Sequence, residues 1–420
     1  MLAAGKGVRL EPLSLTRPKH LLPVAGAPLI VHTLKAIKSS GVDETLLVVH
    51  YRKDALSSYL GSGASIGMKI SYAEQGGIFG TGHAITMAET FTDGEPFLLI
   101  YGDLAFDPKL IERALTAFNK RLSGTIVGVD LDDVSQYGAM ELEGDRLRKL
   151  VEKPPSGGPG TINGGIYVLG PQIFKQIDKT PKSSRGEFEL TTTINLAIDQ
   201  GGDFRVVRSK PNEWVDVGRP WNLLEANKLL LDCKIVQSSV RGEVEDGAKL
   251  HGKVVVEEGA SILSGAYIEG PVWISSGCRV GPNCYLRPYT YLGRNVKVGN
   301  SCEIKASIIM EDSHVGHLSY IGDSVIGSKC NLGAGTITAN LRFDEEAIKM
   351  NIKEERVSSM RKKLGAFLGD EVKTGINVSL YPGIKIGPRS WVGPHTAVVK
   401  DVPAGMIATS RVELEIIPRR

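Results

Sequence analysis

Hydrophobic and polar positions alternate in two different ways along this chain of 420 residues. In the first part, apolar runs of strand length are separated by longer stretches with helical spacing. The apolar runs are Leu46 to Tyr51, Lys69 to Ala73, Phe97 to Tyr101 and Thr125 to Val129, and the helical stretches are Ile30 to Ser39, Pro108 to Lys120 and Pro220 to Leu231. This alternation predicts an α/β domain over residues 1–231, with a mainly parallel sheet covered by helices on both faces.

From residue 232 onward, a period of six residues takes over. Aliphatic side chains recur at Val244, Leu250, Val256, Ile262, Ile268, Ile274, Val280, Leu286, Leu292, Val298 and Ile304, and again at Val315, Ile321, Ile326, Leu332, Leu380, Ile386, Val392 and Val398. A second column, four residues after each member of the first run, is mostly small or β-branched: Ala248, Val254, Ala260, Ala266, Val272, Cys278, Cys284, Thr290, Val296, Cys302 and Ile308. Residues 232–420 are therefore predicted to form an all-β domain, a parallel β-helix of hexapeptide repeats around a narrow prism.

A charged stretch, Arg342 to Lys363, interrupts these repeats. Because it does not follow the period, we expect an insertion near residues 340–364 that loops out of the prism. A helical arm lying along the side of the coils is an equally open interpretation. Insertions of this kind often carry function.

Composition excludes several classes of protein. A net charge of +3 is too small to indicate a nucleic-acid-binding protein. No apolar run approaches the roughly 20 residues that a membrane-spanning helix needs. The start of the chain has neither a long apolar core nor a basic leader, so no secretion signal is predicted. We therefore expect a cytoplasmic protein without nucleic-acid or membrane partners.

The repeat explains most of the cysteines. Their number, five, is odd, and they form no CxxC pair, so reduced thiols are expected. Cys278, Cys284 and Cys302 occupy the small-residue column, and Cys330 matches it after Ile326. We predict that these thiols pack inside the prism and have no metal or redox role.

The most specific motif opens the chain. Gly5 and Gly7 allow the backbone to approach a ligand closely, and their amides can point at phosphate oxygens. Arg9 and Lys19 supply positive charge nearby. The whole run, AAGKGxRLxPL followed by PKxLxPV, resembles the fingerprint of sugar-1-phosphate nucleotidylyltransferases, which carry a Rossmann-like domain.

The resemblance continues in order along the chain and implies a nucleotide site. Gln75, with the run Phe79 to Ala84, matches the family segment that recognises a pyrimidine base through this glutamine and the backbone of the next Gly-Thr pair. The residues that the family would place against the nucleotide are Leu2, Ala3, Ala4, Gly5, Gln75, Gly80, Thr81, Tyr101 and Gly102.

Two aspartates are the metal ligands that the resemblance implies. Asp103 lies in the run Tyr-Gly-Asp after an apolar strand, and Asp216 lies in the run Trp-Val-Asp-Val-Gly. Both correspond to positions that hold the catalytic magnesium in the family. Mg²⁺ prefers hard oxygen ligands, keeps several waters and is shared with substrate phosphates, so two carboxylates suit it.

The family's sugar-phosphate pocket matches three further motifs. Glu152 and Asn163 would hydrogen-bond sugar hydroxyls or an N-acetyl group, Gly138 would contribute a backbone amide, and Lys153 would neutralise the sugar's phosphate. The implied reaction is attack of a sugar 1-phosphate oxygen on the α-phosphorus of a nucleoside triphosphate, with release of pyrophosphate. This reaction needs no protein nucleophile, because positioning and charge neutralisation by Mg²⁺, Arg9 and the two lysines lower the barrier.

Within the repeats, two runs extend the resemblance to nearly the whole chain. Val315 to Asp323 and Asn331 to Thr336 resemble the bifunctional uridylyltransferase/glucosamine-1-phosphate acetyltransferases, whose β-helix is left-handed. The match implies that His317 is the general base that removes a proton as the sugar's amino group attacks acetyl-CoA. An imidazole suits this task because its neutral form accepts a proton near neutral pH.

The same match assigns substrate contacts in the β-helix. Arg287 and Lys305 would bind the sugar phosphate, and Tyr320 and Asn331 would bind the sugar. The family's acetyl-CoA region matches Ala334, Asn340 and Arg411. The chain departs from the family pattern at Leu341, where a tyrosine is usual, and at Ile376, where a serine is usual.

The acetyl site of this family lies between neighbouring chains, which implies a homotrimer or a dimer of trimers. A second hypothesis keeps nucleotidyl transfer to glucose or mannose phosphate and treats the β-helix as an oligomerisation scaffold. A third is a non-catalytic assembly subunit, because regulators of translation factors share this pair of domains. The residues leave open the choice of UTP or dTTP and of glucosamine or galactosamine phosphate.

The beginning of the chain differs from the family pattern. Family members place a few residues, forming the first half of the central strand, ahead of the position of Leu2, whereas this chain has Met1 alone. Neighbouring strands would lose backbone partners there, at roughly 1–3 kcal/mol for each buried unsatisfied group. We therefore expect that the natural start lies upstream.

Overall fold

The structure, a computed structural model, describes residues 1–77, 79–183, 186–411 and 413–417, and it divides into two units. The first contains Met1–Lys6, Arg17–Leu22 and Ala27–Val217. The second contains Gly7–Thr16, Pro23–Gly26 and Gly218–Arg420. Two short segments of the opening motif therefore belong with the β-helix.

Strands and helices alternate up to residue 234. The strands are β1 (Leu2–Ala3), β2 (Pro23–Val24), β3 (Ala27–Pro28), β4 (Glu44–Val49), β5 (Lys69–Glu74), β6 (Phe97–Ile100), β7 (Leu104–Phe106), β8 (Gly124–Leu131), β9 (Gly138–Glu143), β10 (Arg146–Glu152), β11 (Gly160–Leu169), β12 (Phe204–Arg208) and β13 (Trp214–Asp216). The helices are α1 (Leu29–Ser39), α2 (Lys53–Leu60), α3 (Thr81–Thr86), α4 (Glu89–Thr92), α5 (Lys109–Ala117), α6 (Ile173–Ile177), α7 (Leu190–Asp199) and α8 (Asn222–Lys234), and short 3-10 turns span Val8–Leu10, Lys19–Leu21 and Ala64–Ile66. Strand β2 and helix α8 lie in the second unit.

The expectation of a mainly parallel sheet is correct for only part of the first unit. Strands β1, β4 and β5 pair in parallel. The larger sheet has the order β6-β11-β8-β12-β10-β9, in which β8 and β12 are parallel and the other neighbours are antiparallel. The hairpin of β9 and β10 and the long strand β11 cause this difference, because both reverse the chain direction within the sheet.

Helices cover both faces of the larger sheet, as predicted. Adjacent residues of β8 point to opposite sides, since Val127 belongs to a core cluster with α1, α2 and α5, whereas Ile126 belongs to a cluster with α6 and α7. Burial of such an aliphatic side chain contributes roughly 1.5–3 kcal/mol to stability. The α/β class is confirmed.

The first strand is short, and an apolar cavity of about 360 Å³ lies beside it. Its lining includes Met1, Leu46, Phe97 and Leu98, which lie on or beside the edges of β4 and β6. The amino group of Met1 donates to the carbonyl oxygen of Leu46 at 2.9 Å, and burial lowers the pKa of this amino group to about 5. The expectation that residues precede Met1 stays a prediction.

The second unit is a left-handed parallel β-helix with three faces. The first face contains Ser239–Val240, Val254–Val256, Val272–Ile274, Thr290–Leu292, Ile308–Ile309, Val325–Ile326, Phe367–Leu368 and Lys385–Ile386. The second contains Glu243–Val244, Ser261–Ile262, Arg279–Val280, Lys297–Val298, His314–Val315, Asn331–Leu332, Lys373–Thr374, Trp391–Val392 and Ile407–Ala408. The third contains Lys249–His251, Tyr267–Glu269, Tyr285–Leu286, Glu303–Lys305, Tyr320–Gly322, Ile337–Thr338, Ser379–Leu380 and Ala397–Val398. Every pairing between neighbouring coils in these three sheets is parallel and in register, as the period of six predicts.

Both predicted columns lie inside the prism. From Val256 onward the aliphatic positions are buried, whereas Val244 in the first coil is 39% exposed. Cys278 donates its thiol hydrogen to the carbonyl oxygen of Gly293 at 2.9 Å, and burial raises its pKa to about 12. The packing role of the column thiols is confirmed.

The insertion is a hairpin that lies on the side of the prism. Lys349–Ile352 pairs antiparallel with Glu355–Ser358, so the stretch forms strands where a helical arm was one interpretation. Ile348 and Met350 are each 1% exposed. A Cβ atom at Gly383 would lie 2.8 Å from Cγ2 of Ile348, so the hairpin packs closely against this coil.

None of the helices in the described residues has both the length and the apolar character of a membrane span.

Candidate active sites

Strand pairing brings the two predicted metal ligands together. Asp103 immediately precedes β7, and Asp216 ends β13, where it pairs with Leu104. The amide of Val217 donates to the carbonyl oxygen of Asp103 at 2.9 Å. The two aspartates therefore lie at neighbouring backbone positions where β7 and β13 pair.

Lys19 forms an ion pair with Oδ2 of Asp103, and their side chains are only 13% and 21% exposed. Burial alone would raise the pKa of Asp103, but the charge and the hydrogen bond of Lys19 outweigh it and hold this pKa below its ordinary value. A Cβ atom at Gly5 would lie 3.3 Å from both Cε and Nζ of Lys19, so the glycine leaves room for the ammonium group. The pair presents a fixed cation beside a fixed carboxylate.

His20 lies beside this pair and was not predicted from the sequence. It is 1% exposed, and burial, followed by the charge of Lys19, lowers its pKa to about 3, so the ring is neutral. A Cβ atom at Gly102 would lie 3.2 Å from Cδ2 of His20 and 2.8 Å from the carbonyl oxygen of Leu2. Its place beside Lys19 in the Pro-Lys-His-Leu run was the available signal.

The donor set of this site fits a magnesium ion that shares its shell with a substrate. Asp103 and Asp216 supply hard oxygen atoms, which Mg²⁺ prefers. Among the described residues, no group of three or more His, Cys, Asp or Glu side chains is placed to hold a metal.

Arg9 lies in the 3-10 turn Val8–Leu10, within the segment that belongs to the second unit. The hydroxyl of Ser14 donates to the carbonyl oxygen of Gly7 at 2.8 Å and closes this loop. At its end, the hydroxyl of Thr16 donates to Oδ2 of Asp370, a β-helix residue, at 2.6 Å. The loop that carries Arg9 is therefore anchored on a coil.

The predicted base-recognition residues converge. Gln75 is 3% exposed, and its backbone amide donates to Val49 at 2.9 Å. Its side-chain Nε2 lies 3.2 Å from the carbonyl oxygen of Gly80 and 3.3 Å from Nδ1 of His83. Thr81 begins α3, and its hydroxyl accepts a hydrogen bond from the amide of Leu190 at 3.1 Å.

Gly80 is required where it stands. Its φ of +94° lies in the region that favours glycine, and a Cβ atom there would lie 2.5 Å from the carbonyl oxygen of Phe188. The amide of Phe188 donates to the carbonyl oxygen of Phe79 at 2.8 Å, and the amide of Gly82 donates to the carbonyl oxygen of Phe188 at 2.7 Å. These bonds hold the start of α3 in place.

The predicted sugar residues also meet. Gly138 pairs with Glu152 across β9 and β10. A Cβ atom at Gly138 would lie 3.5 Å from Oε2 of Glu152 and 3.7 Å from Cβ of Asn163. Lys153 follows at a positive φ of 47°, and its amide donates to the carbonyl oxygen of Tyr137 at 2.8 Å.

A tyrosine pair that the sequence did not predict lies beneath this pocket. Nδ2 of Asn163 donates to the hydroxyl of Tyr167 at 2.5 Å, and this hydroxyl donates to that of Tyr101 at 3.1 Å. Burial raises the pKa of Tyr101 to about 12. The Tyr101 hydroxyl therefore stays protonated and faces its partner.

In the β-helix, the predicted phosphate-binding residues stack at the corner where the third face ends. Leu286 pairs with Ile304, and Lys305 pairs with Gly322, so Arg287 and Lys305 lie in successive coils. Arg287 Nη1 lies 2.9 Å from Oε1 of Glu303.

Asp323 organises this corner, although no motif in the sequence pointed to it. It is 3% exposed, and its Oδ2 accepts from Nζ of Lys305 at 2.9 Å and from Nδ2 of Asn340 at 2.7 Å. Nδ2 of Asn340 also lies 3.0 Å from the hydroxyl of Tyr320. Arg361 of the hairpin lies 3.9 Å from Oδ1 of Asp323. Its position directly after the Tyr-Ile-Gly strand, at the corner of the coil, was the available signal.

His317 lies at the opposite end of the third face, where the face begins. Its side chain is exposed, and its carbonyl oxygen accepts from the amide of Gly335 at 3.2 Å and the hydroxyl of Ser319 at 2.8 Å. Tyr320 begins the next strand and reaches towards Asn340. An open groove of about 560 Å³ between Tyr285, Leu318 and Tyr320 runs beside this corner.

The remaining predicted contacts are spread more widely. Asn331 lies on the second face, in register with His314 and Lys373. Ala334 lies in the turn that follows Asn331, and Arg411 lies after the last strand. The two departures from the family pattern, Leu341 and Ile376, are 43% and 50% exposed.

Family models match both halves of the chain. Residues 1–232 match the model of nucleotidyl transferases. Residues 268–381 match the model of the GMPPB C-terminal domain. A solved structure from Bacillus anthracis, assigned as a glucose-1-phosphate thymidylyltransferase, is 26% identical to this chain and covers 57% of it and 96% of its own length, with a TM-score of 0.50.

Two curated proteins are similar over nearly the whole chain. One from Methanocaldococcus jannaschii, named bifunctional protein GlmU, is 42% identical over 99% of this chain and 98% of its own length. One from Sulfurisphaera tokodaii, named bifunctional sugar-1-phosphate nucleotidylyltransferase/acetyltransferase, is 44% identical over 96% of this chain and 98% of its own length. The similarity therefore includes both the first unit and the β-helix.

Proposed function

This chain belongs to the nucleotidyl transferases and, along its whole length, to the bifunctional sugar-1-phosphate nucleotidylyltransferase/acetyltransferases, and we propose that it catalyses two group transfers on sugar phosphates. The first moves a nucleotidyl group from UTP or dTTP to a sugar 1-phosphate such as N-acetylglucosamine 1-phosphate. The second moves the acetyl group of acetyl-CoA to an amino-sugar 1-phosphate. The partly buried pair of Lys19 and Asp103, near Asp216, is the observation that carries the proposal of nucleotidyl transfer.

In the nucleotidyl transfer, an oxygen of the sugar phosphate attacks the α-phosphorus of the triphosphate, and pyrophosphate leaves. Bound Mg²⁺, held by Asp103 and Asp216, would neutralise charge on the phosphates. Lys19 would donate to a phosphate oxygen, and its fixed position avoids reorganisation as charge develops. Arg9 and Lys153 would add positive charge at the triphosphate and the sugar phosphate.

The substrates would be held on either side of this centre. The base would contact Gln75 and the backbone of Gly80 and Thr81, whose positions are fixed by hydrogen bonds. The sugar would contact Glu152 and Asn163, which lie together beside Gly138. The remaining nucleotide contacts that we propose are Leu2, Ala3, Ala4, Gly5, Tyr101 and Gly102.

In the acetyl transfer, the amino nitrogen attacks the acetyl carbonyl carbon, His317 takes a proton from this nitrogen, and coenzyme A leaves as its thiolate. Lys305 and Arg287 would hold the phosphate at the far end of the third face. Tyr320 and Asn331 would contact the sugar. Ala334, Asn340 and Arg411 would contact acetyl-CoA.

We also propose that three copies associate, as a trimer or a dimer of trimers. The third face is open, with a groove beside Leu318 and Tyr320, and a neighbouring prism would close it. The functional halves that we propose are residues 1–231 and 232–420, the second with the insertion near 340–364. The reduced state of the buried thiols favours a cytoplasmic location.

Two assays test the proposal. Purified protein with Mg²⁺, UTP and N-acetylglucosamine 1-phosphate should release pyrophosphate, and with acetyl-CoA and glucosamine 1-phosphate it should release a thiol. The scaffold hypothesis, in which the β-helix only assembles subunits, requires the first activity without the second. The similarity of the β-helix to that of bifunctional relatives does not favour this alternative.

A further inference from the structure

His83 lies within the matched run Phe79 to Ala84, but neither the match nor the proposed reaction gives it a role. It lies in α3, and its ring is in contact with two aromatic rings. The centroid of Phe79 lies 5.0 Å away with its ring edge-on, and that of Phe188 lies 6.5 Å away and nearly parallel. These contacts restrict the orientation of the imidazole. Its Nδ1 faces the side-chain amide of Gln75 at 3.3 Å.

The orientation of the Gln75 amide follows from its neighbours. The carbonyl oxygen of Gly80 can only accept a hydrogen bond, so the amide atom 3.2 Å from it must be the NH₂ group. The same nitrogen faces Nδ1 of His83, which must therefore be the unprotonated ring nitrogen. Both hydrogens of the amide are used in this way.

The carbonyl oxygen of Gln75 is left to meet a ligand. Among the described residues, Oε1 of Gln75 accepts no hydrogen bond, although the side chain is only 3% exposed. A partner that binds there has to donate a hydrogen bond. N3 of uracil and of thymine carries a hydrogen atom, whereas N3 of cytosine is an acceptor.

We propose that His83 sets the base specificity of the nucleotidyl transfer by acting with the carbonyl oxygen of Gly80 to hold the Gln75 amide with its oxygen towards the base. The inference rests on the proposed function and extends it from the contact to the residue that positions it. Uridine and thymidine triphosphates satisfy Oε1, whereas cytidine triphosphate places an acceptor against it. A mismatch of this kind leaves two acceptors facing each other, and such pairs give strong discrimination.

The test compares two variants at one position. His83→Phe keeps a ring between Phe79 and Phe188 but removes one of the two acceptors, so that only the carbonyl oxygen of Gly80 still holds the Gln75 amide. His83→Asn keeps an oxygen acceptor near the position of Nδ1. We expect His83→Phe to lower the ratio of kcat/KM for UTP over CTP by about tenfold or more, and His83→Asn to retain most of it.

A second measurement keeps the test independent of catalysis. Calorimetric titration of the full chain with UTP or CTP, without sugar phosphate, should show the same loss of preference in His83→Phe. A wild-type protein that binds UTP selectively but transfers nothing would contradict the proposed reaction, whereas loss of that binding preference in His83→Phe would still support the role of His83. If His83→Phe weakens both nucleotides equally, the residue is merely structural and the inference is wrong. If the His83→Phe variant does not fold, His83→Leu also removes the acceptor and can replace it in both measurements.

Discussion

The two candidate sites are built in opposite ways. In the first unit, the proposed groups contact one another within one chain. Lys19 pairs with Asp103, and Gln75 donates a hydrogen bond to Gly80. In the β-helix, the proposed groups extend along an open face, from His317 at one corner to Lys305 at the other. The first site is therefore assembled by the fold of one chain, whereas the second, as we propose, is completed by a neighbouring chain.

The two architectures account for this difference. The strands and loops of an α/β domain converge at the edge of a sheet, where side chains from distant parts of the chain meet. A β-helix stacks equivalent residues one coil above another, so each corner carries a column of equivalent residues and each face is flat. A flat face becomes a cleft only against another surface, which a second prism would supply.

The largest expected effect is at the open face. His317→Ala should lower acetyl transfer by about 10²–10⁴-fold, because a general base contributes roughly this much. Nucleotidyl transfer should be unchanged, since the side chain is exposed on the second unit. Separate assays of thiol release and pyrophosphate release measure both. Thiol release that survives the substitution would exclude His317 as the base.

The reciprocal change tests the closed site. Asp103→Asn removes a carboxylate that holds Lys19, and nucleotidyl transfer should fall by about 10²–10³-fold, as for the loss of one fixed electrostatic group. Acetyl transfer should remain. A parallel fall in both activities would show that the sites are coupled and would contradict the comparison.

The sequence predicted the elements better than it predicted their pairing. Strand-length runs and helical spacing located β4, β5, β6 and β8, because side-chain burial imposes these periods. The antiparallel pairing of β11 depends on contacts between residues distant in sequence, which periodicity does not contain. The β-helix was predictable in detail, since its register repeats the period of the sequence.

For the sites, motifs located the residues that would touch substrates and missed the residues that hold them. Asp323, His20 and Tyr167 contact predicted residues, yet each is an ordinary residue type in an ordinary run. Their roles depend on burial and on partners brought together by the fold. His83 lies within a matched motif, but only the distance to Gln75 shows what it does.

A smaller effect is expected from the corner that holds Lys305. Asp323→Ala removes the acceptor shared by Lys305 and Asn340, and KM for the amino-sugar phosphate should rise about tenfold, with a smaller rise in Asp323→Asn. Asp312 offers a matched control, because it also lies at a corner with positive φ and accepts from an asparagine, Asn295, at 2.9 Å. Asp312→Ala should leave this KM unchanged. Equal effects of the two variants would show that Asp323 acts only through the stability of the coils.

The smallest effect concerns the prism interior. Burial raises the pKa of the thiols of Cys278, Cys284 and Cys330 from 9.0 to about 12. Above pH 9, the unfolded chain loses thiol protons that the folded chain keeps, so the free energy of unfolding should fall as pH rises from 9 towards 12. Below pH 9, both states keep these protons and the thiols contribute no pH dependence.

Urea midpoints measured with reductant at pH 8, 8.5, 9 and 9.5 test this slope below the ordinary pKa of tyrosine, which is about 10. Cys330→Ala should lower the free energy of unfolding at pH 8 by about 1 kcal/mol, and the urea midpoint should fall slightly. The further fall of the midpoint with rising pH should be shallower in this variant than in the wild type. Cys233→Ala is the matched control, because Cys233 is exposed and should leave the slope unchanged. If Cys330→Ala declines as steeply as the wild type, the interior thiol does not link alkaline pH to the stability of the β-helix.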